Sequence, residues 1–173
     1  MADGGARALM ETFTPGPETE RSFRDALGQY ATGVTVVTCN AASGPVGITA
    51  NSFASVSLDP PLVLWSPARA SRRFPMFEAA EHYAIHILGA EQTDVCRAFV
   101  RDGAAFDAVD WTTGEMGVPL IEGCLARFEC TREAIHEGGD HIIVVGRVLR
   151  ASVRTGAPLV FCAGEYGRFT DAA

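Results

Sequence analysis

Strand-forming segments in this chain follow one another directly instead of alternating with helices, and this order constrains the fold more than any other feature. Val34-Thr-Val-Val-Thr-Cys39 is apolar and largely β-branched. Asn40 to Gly44 reads as a turn, and Val46 onward as the returning arm of a hairpin. Asp59-Pro60-Pro61 punctuates the chain before a short buried strand, Leu62 to Trp65, and Tyr83 to Leu88 forms another. Cys124, Ala126, Phe128 and Cys130 alternate with Leu125, Arg127, Glu129 and Thr131, which predicts a half-exposed strand. His141 to Arg150 is a long apolar strand broken by Gly146, and Leu159 to Cys162 a shorter one.

Three helices interrupt this run. The first is expected to start at Ser22, with Ser22 and Asp25 close to a capping box, and to be ended by Gly33. Phe23, Ala26, Leu27, Tyr30 and Ala31 share one face of it. The others are Arg73 to Glu81, with Phe74 and Phe77 on one face, and Glu91 to Val100, carrying Val95, Ala98 and Phe99. Arg101 to Pro119 reads as loop. Six or seven successive strands with peripheral helices imply a mainly β fold: a closed or nearly closed antiparallel barrel, not a doubly wound sheet.

Residues 1–19 hold Gly4, Gly5, Pro15, Gly16 and Pro17 without periodicity and are expected to be a flexible N-terminal arm. Residues 20–173 are expected to form a single domain, the length suiting one core. With 47% apolar and 20% charged residues, disorder is excluded for the bulk of the chain. The apolar content points to a face buried against another subunit.

A formal charge of −7 argues against nucleic acid and anionic membrane as partners. No apolar run approaches the ~20 residues of a membrane span, and no export signal is visible, so a cytoplasmic location is expected. Five cysteines without a C-x-x-C pair then read as reduced thiols. No G-x-G-x-x-G follows a strand, and no P-loop or G-x-S-x-G occurs. Neither His82, His86 and Cys96 nor Cys130, His136 and His141 suggests a metal site, so none is expected.

Three segments carry candidate chemistry. Gly47 to Pro61 (GITANSFASVSLDPP) is rich in small hydroxyl and amide side chains that let backbone approach a flat heterocycle; a polar edge strand is the competing reading. Ser66-Pro-Ala-Arg-Ala-Ser-Arg-Arg73 places Arg69, Arg72 and Arg73 near a helix start in an acidic protein, as either a phosphate clamp or an ordinary capped helix with solvated arginines. Gly138-Gly-Asp-His141 delivers a histidine to the mouth of a strand, facing a ligand or capping a turn.

These segments, in this order, make the chain resemble the short-chain flavin reductase family, NAD(P)H:flavin oxidoreductases with an FMN-binding split barrel of Greek-key type. The likeness runs from about Ser22 to Phe169. It rests on Phe23-Arg24-x-x-Leu27-Gly28-x-Tyr30-x-Thr32-Gly33-Val34, on Asn51-Ser52-Phe53 with Ser57-Leu58-x-Pro60-Pro61-Leu62-Val63, and on Gly139-Asp140-His141. The resemblance implies that Thr49, Ala50, Asn51 and Ser52 line the isoalloxazine and ribityl chain, continued by Ser66, Pro67 and Ala68. It implies that Ser71 and Arg72 hold the flavin phosphate, and that Phe99 is a further flavin contact. His141 would serve the nicotinamide as the catalytic residue, helped by Tyr166 and Arg168. Arg69 and Arg73 receive no role.

The cofactors so implied are FMN or FAD, with NADH or NADPH as hydride donor. The resemblance also implies a homodimer and a separate monooxygenase that takes the reduced flavin. Two alternatives stay open: a flavoprotein that retains FMN and acts on its own small substrate, and a non-catalytic flavin-binding protein.

Overall fold

The computed structural model describes residues 10–170. Most of the chain is antiparallel sheet. A seven-stranded sheet is ordered β3-β2-β6-β9-β10-β5-β4. Its strands are β2 (Thr35–Ala41), β3 (Gly44–Ala50), β4 (Ala54–Leu58), β5 (Pro61–Trp65), β6 (His82–Ile87), β9 (Ala126–Gly138) and β10 (His141–Val153). A three-stranded sheet joins β1 (Thr32–Gly33) to β11 (Leu159–Cys162) and β12 (Glu165–Arg168), and β7 (Trp111–Thr113) pairs with β8 (Pro119–Ile121). The helices are α1 (Glu20–Gly28), α2 (Phe74–Ala79) and α3 (Thr93–Arg101).

The connectivity forces this sheet to curl. Its two edge strands, β3 and β4, are consecutive in the chain, joined only by Asn51-Ser52-Phe53. The four steps from Ala50 to Ala54 can span at most about 14 Å. The edges of a flat seven-stranded sheet would stand about 29 Å apart. The sheet therefore closes on itself into a barrel, split where β3 and β4 fail to pair. This agrees with the expected antiparallel split barrel.

Both faces of the central strands are covered, as the period of two requires. Val37 and Cys39 join one core with Trp65, Tyr83, Ile85, Ile142, Val144 and the Phe74 and Phe77 of α2. Val34 and Val36 face a second core with Leu88, Leu159 and the Cys96 and Phe99 of α3. Phe106, from the segment expected to be loop, wedges between Phe99 and Trp111 with ring centroids 5.0 and 5.2 Å away.

Three local expectations are corrected. Arg101 to Pro119, expected as loop, holds a 3₁₀ turn at Ala105–Ala108 and the strand β7. The first helix begins at Glu20, not Ser22, because Pro17–Thr19 forms a 3₁₀ turn directly before it, and it ends at Gly28, not Gly33, so Tyr30 and Ala31 lie beyond it. Thr19 Oγ1 accepts the Gly16 N–H at 2.9 Å and donates to the Thr14 carbonyl at 2.9 Å. Of the arm expected over residues 1–19, residues 1–9 lie outside the described residues. The strand around Cys124 to Thr131 is not half exposed. Glu129 is buried like Cys130, because the turn between β7 and β8 brings Gly114 beside its carboxylate.

His86, fully buried on β6, links three elements. Its Nδ1 donates to the Val36 carbonyl at 2.9 Å and its Nε2 accepts the Ile121 N–H at 3.1 Å. The ring can make both bonds only when neutral. Burial pushes its pKa down to about 4. The unfolded chain, with an ordinary histidine near 6.5, therefore takes up this proton first on acidification. His86 contributes stability that is complete above about pH 6.5 and lost as pH falls toward 4. The urea midpoint is expected to drop between pH 6.5 and 5, above the main carboxylate range, and His86→Gln should flatten that slope.

Candidate functional site

The split itself builds the site. Beside β3 the segment Asn51–Phe53 leaves the sheet, and Ser52 fastens it back. Its Oγ accepts the Ser66 N–H at 2.9 Å and donates to the Ser66 carbonyl at 3.2 Å. Ser66–Ala68 is in turn laced to the β9–β10 turn. The Ile142 N–H donates to Pro67 at 3.2 Å, the Arg69 N–H donates to Asp140 at 2.9 Å, and Ala68 bridges to His141. Gly139 opens that two-residue turn with φ 75°, a left-handed conformation that glycine adopts freely. Three segments far apart in sequence thus converge at one mouth.

Clefts run along this seam and share walls. One of about 420 Å³ is lined by Thr49, Ser71, Arg72, Arg73 and Arg101. The next, about 150 Å³, is lined by Thr49, Ala50, Asn51, Val100 and Tyr166. A third, about 850 Å³, lies between α1 and the β10 mouth and contains Asn51, Thr32 and His141. Thr49 belongs to the first two and Asn51 to the last two, so they form one groove from the arginines to the histidine. Thr49 Oγ1 donates to the Cys96 carbonyl at 2.8 Å, which fixes its rotamer and leaves its lone pairs as acceptors. Thr32 Oγ1, on the groove, is buried without a partner.

The three clustered arginines have different fates. Arg69 pairs with Glu137 at 2.6 Å and lies over the Phe74 ring. Arg73 donates to the Phe99 and Val100 carbonyls at 2.5 and 3.3 Å, tying α2 to the C-terminal end of α3. Its pKa is lowered by burial. Arg72 is exposed, has no partner among the described residues and lines the cleft. Ser71 Oγ accepts the Arg73 N–H at 3.2 Å, so its own proton is free to donate.

At the other end His141 Nδ1 lies 2.8 Å from Asp140 Oδ1. Its hydrogen bond to His141 holds the Asp140 carboxyl below its ordinary range. An ionised Asp140 keeps the histidine proton on Nδ1 and leaves Nε2 as the open position. Tyr166 stacks at a tilt on Phe161, 5.1 Å between centroids. Burial, and then the Cys96 thiol, push its pKa up to about 12, so it stays a neutral hydroxyl.

The structure thus gathers Thr49, Ala50, Asn51, Ser52, Ser66, Pro67, Ala68, Ser71, Arg72, His141 and Tyr166 around one seam. Phe99 is a fully buried core residue, its ring against Gly47 and Phe106, that also backs the wall of the cleft holding Ser71 and Arg72. Arg168 lies in a neighbouring cleft that reaches the seam only at Tyr166. Sequence reasoning gave no site role to Thr32, Val100 and Arg101, which reach the groove from β1 and from the end of α3.

A groove with an anion-seeking end, a hydroxyl-rich middle and a histidine mouth suits a phosphorylated, flat aromatic cofactor. The model for the flavin reductase like domain matches residues 27–170, and the chain belongs to that family. It is 59% identical over 158 residues to the FMN reductase (NADH) SmoA of Agrobacterium fabrum, covering 91% of each chain. It is 41% identical to the flavin-dependent monooxygenase reductase subunit HsaB of Rhodococcus jostii, over 84% of this chain and 76% of that one. The solved NADH:FAD oxidoreductase SgcE6 of Streptomyces globisporus superposes with a TM-score of 0.87 at 37% identity, covering 94% of this chain and all of that one.

Proposed function

We propose that this chain is a flavin reductase that transfers hydride from NADH to FMN or FAD and releases reduced flavin to a separate monooxygenase. One observation carries the reading: an unpaired Arg72 and an Asp140-held His141 lie at the two ends of one groove floored by Thr49–Asn51. The similarity to the FMN reductase (NADH) SmoA, the monooxygenase reductase subunit HsaB and the NADH:FAD oxidoreductase SgcE6 supports the donor, the acceptor and the partner.

The bound flavin supplies the hydride-accepting ring. Thr49, Ala50, Asn51 and Ser52, with Ser66, Pro67 and Ala68, form the wall that orients it; Ser71 and Arg72 hold its phosphate. His141 positions the nicotinamide through Nε2, with Asp140 fixing the tautomer. Tyr166 closes the side of the groove as a neutral donor. The chain contributes stacking, orientation and exclusion of water, which is what hydride transfer between two cofactors requires. The unpartnered Arg72 guanidinium is a polar group that such a ligand would satisfy.

Residues 20–173 act as one unit in this reading. The homodimer is supported by apolar side chains left outside, among them Leu27, Tyr30 and Leu58. A cytoplasmic location is part of the proposal; among the described residues no helix is long and apolar enough to cross a membrane.

The reading is tested by following NADH oxidation with and without FMN, FAD and riboflavin. Oxidation is expected to rise and saturate with added flavin. Flavin binding without any NADH oxidation would overturn it.

A further inference from the structure

The chain has fourteen basic residues, all arginine. Among the described residues, most have an acidic or carbonyl partner: Arg21, Arg24, Arg69, Arg127, Arg147, Arg150 and Arg154 pair with carboxylates, while Arg73 and Arg132 bind backbone carbonyls. Four have neither: Arg72, Arg97, Arg101 and Arg168. In a protein of net charge −7, these four do not scatter. Arg72 and Arg101 line the cleft already described, and Arg97 and Arg168 line another, of about 510 Å³.

This second cleft lies between α3 and β12 and meets the groove at Tyr166. Arg97 reaches it from the middle of α3, Arg168 from the end of β12, and Thr93 from the first turn of α3, where free N–H groups add positive potential. Glu91 is its acidic member, but that carboxylate is paired with Arg154. The volume falls in the range of small-ligand sites, about 300–1,000 Å³, and exceeds what one phosphate needs.

We propose that Arg97 and Arg168 form a second anion-binding arm, which takes the diphosphate of the nicotinamide dinucleotide while Arg72 takes the flavin phosphate. The assignment rests on the flavin-reductase reading above. It follows from the groove's layout: the flavin phosphate end is already served by Arg72, and the second arm opens beside Tyr166, on the wall shared with Asn51 and the route to His141. Arginine suits the task because its forked donors match a diphosphate's oxygens.

The test compares wild type with Arg97→Ala, Arg168→Ala, the double variant, and Arg150→Ala as a charge-matched control outside both clefts. The KM for NADH is expected to rise about tenfold in each single variant and more in the double, with kcat and the KM for FMN within about twofold of wild type. Arg150→Ala should change neither. Calorimetry with ADP-ribose, which carries the diphosphate without the nicotinamide, should show binding to wild type that the double variant loses. An unchanged KM for NADH in the double variant overturns the assignment. So does a rise confined to FAD, which would place the flavin adenylate there. If wild type binds ADP-ribose through Arg97 and Arg168 yet oxidises no NADH, the arm stands and the flavin-reductase reading fails.

Discussion

Replacing Arg72 by alanine is expected to weaken FMN binding about ten- to hundredfold while leaving riboflavin binding within about twofold of wild type. The range is that of losing one or two charge-assisted hydrogen bonds. Riboflavin carries the same ring and ribityl chain without phosphate, so it reports the rest of the groove. Selectivity for the phosphate follows from the freedom of Arg72: neighbouring Arg69 is held by Glu137, and Arg73 by the carbonyls of Phe99 and Val100. Arg73→Ala should behave differently. It leaves two carbonyls at the end of α3 without their partner, lowers stability, and weakens FMN and riboflavin alike. Flavin fluorescence titrations with both ligands separate the cases. Equal losses of FMN and riboflavin in Arg72→Ala would remove Arg72 from the phosphate site.

This contrast marks how far the sequence could be read. Three arginines in five residues announced an anion site, but not which arginine was free. That depends on Glu137, sixty-eight positions away from Arg69, and on carbonyls of a helix that begins at Thr93. The strands were legible because β-branched runs and alternation are local. The barrel was legible because strands followed strands. Closure across Asn51–Phe53, the step that creates the groove, became visible only when β3 and β4 were seen at opposite edges of one sheet. Helical periodicity located a face on α3 but not what the face meets. Phe99 both packs in the core and backs the cleft at Arg72, while Arg97 on the same helix lines a different cleft. Glu129 shows the same limit in a strand: alternation predicts two faces, and a distant hairpin decides whether the second sees water. In α1 the apolar face is real but, within one chain, unburied.

Gly47→Ala, which adds one methyl group to β3, is expected to cost about 1–3 kcal/mol, toward the upper end, and to loosen the flavin site as well. A Cβ at Gly47 would sit 2.5 Å from two carbons of the Phe99 ring, closer than carbon atoms tolerate. Neither side yields easily. The Gly47 N–H is held by the Gly103 carbonyl at 2.8 Å, and Phe99 is fully buried with Phe106 edge-on against it. The strain must therefore move α3. Its last carbonyls anchor Arg73, next to Arg72, and its Cys96 carbonyl anchors Thr49, so the displacement reaches both walls of the groove. For a domain of this size the melting temperature should fall by roughly 4–10 °C. FMN and riboflavin affinity should fall together, unlike in Arg72→Ala. Phe99→Leu in the same chain removes the clashing ring edge, and the double variant should recover part of the loss in both readouts, a coupling between contacting residues. Strictly additive effects of the two substitutions would show that Phe99 is not what makes glycine necessary at position 47.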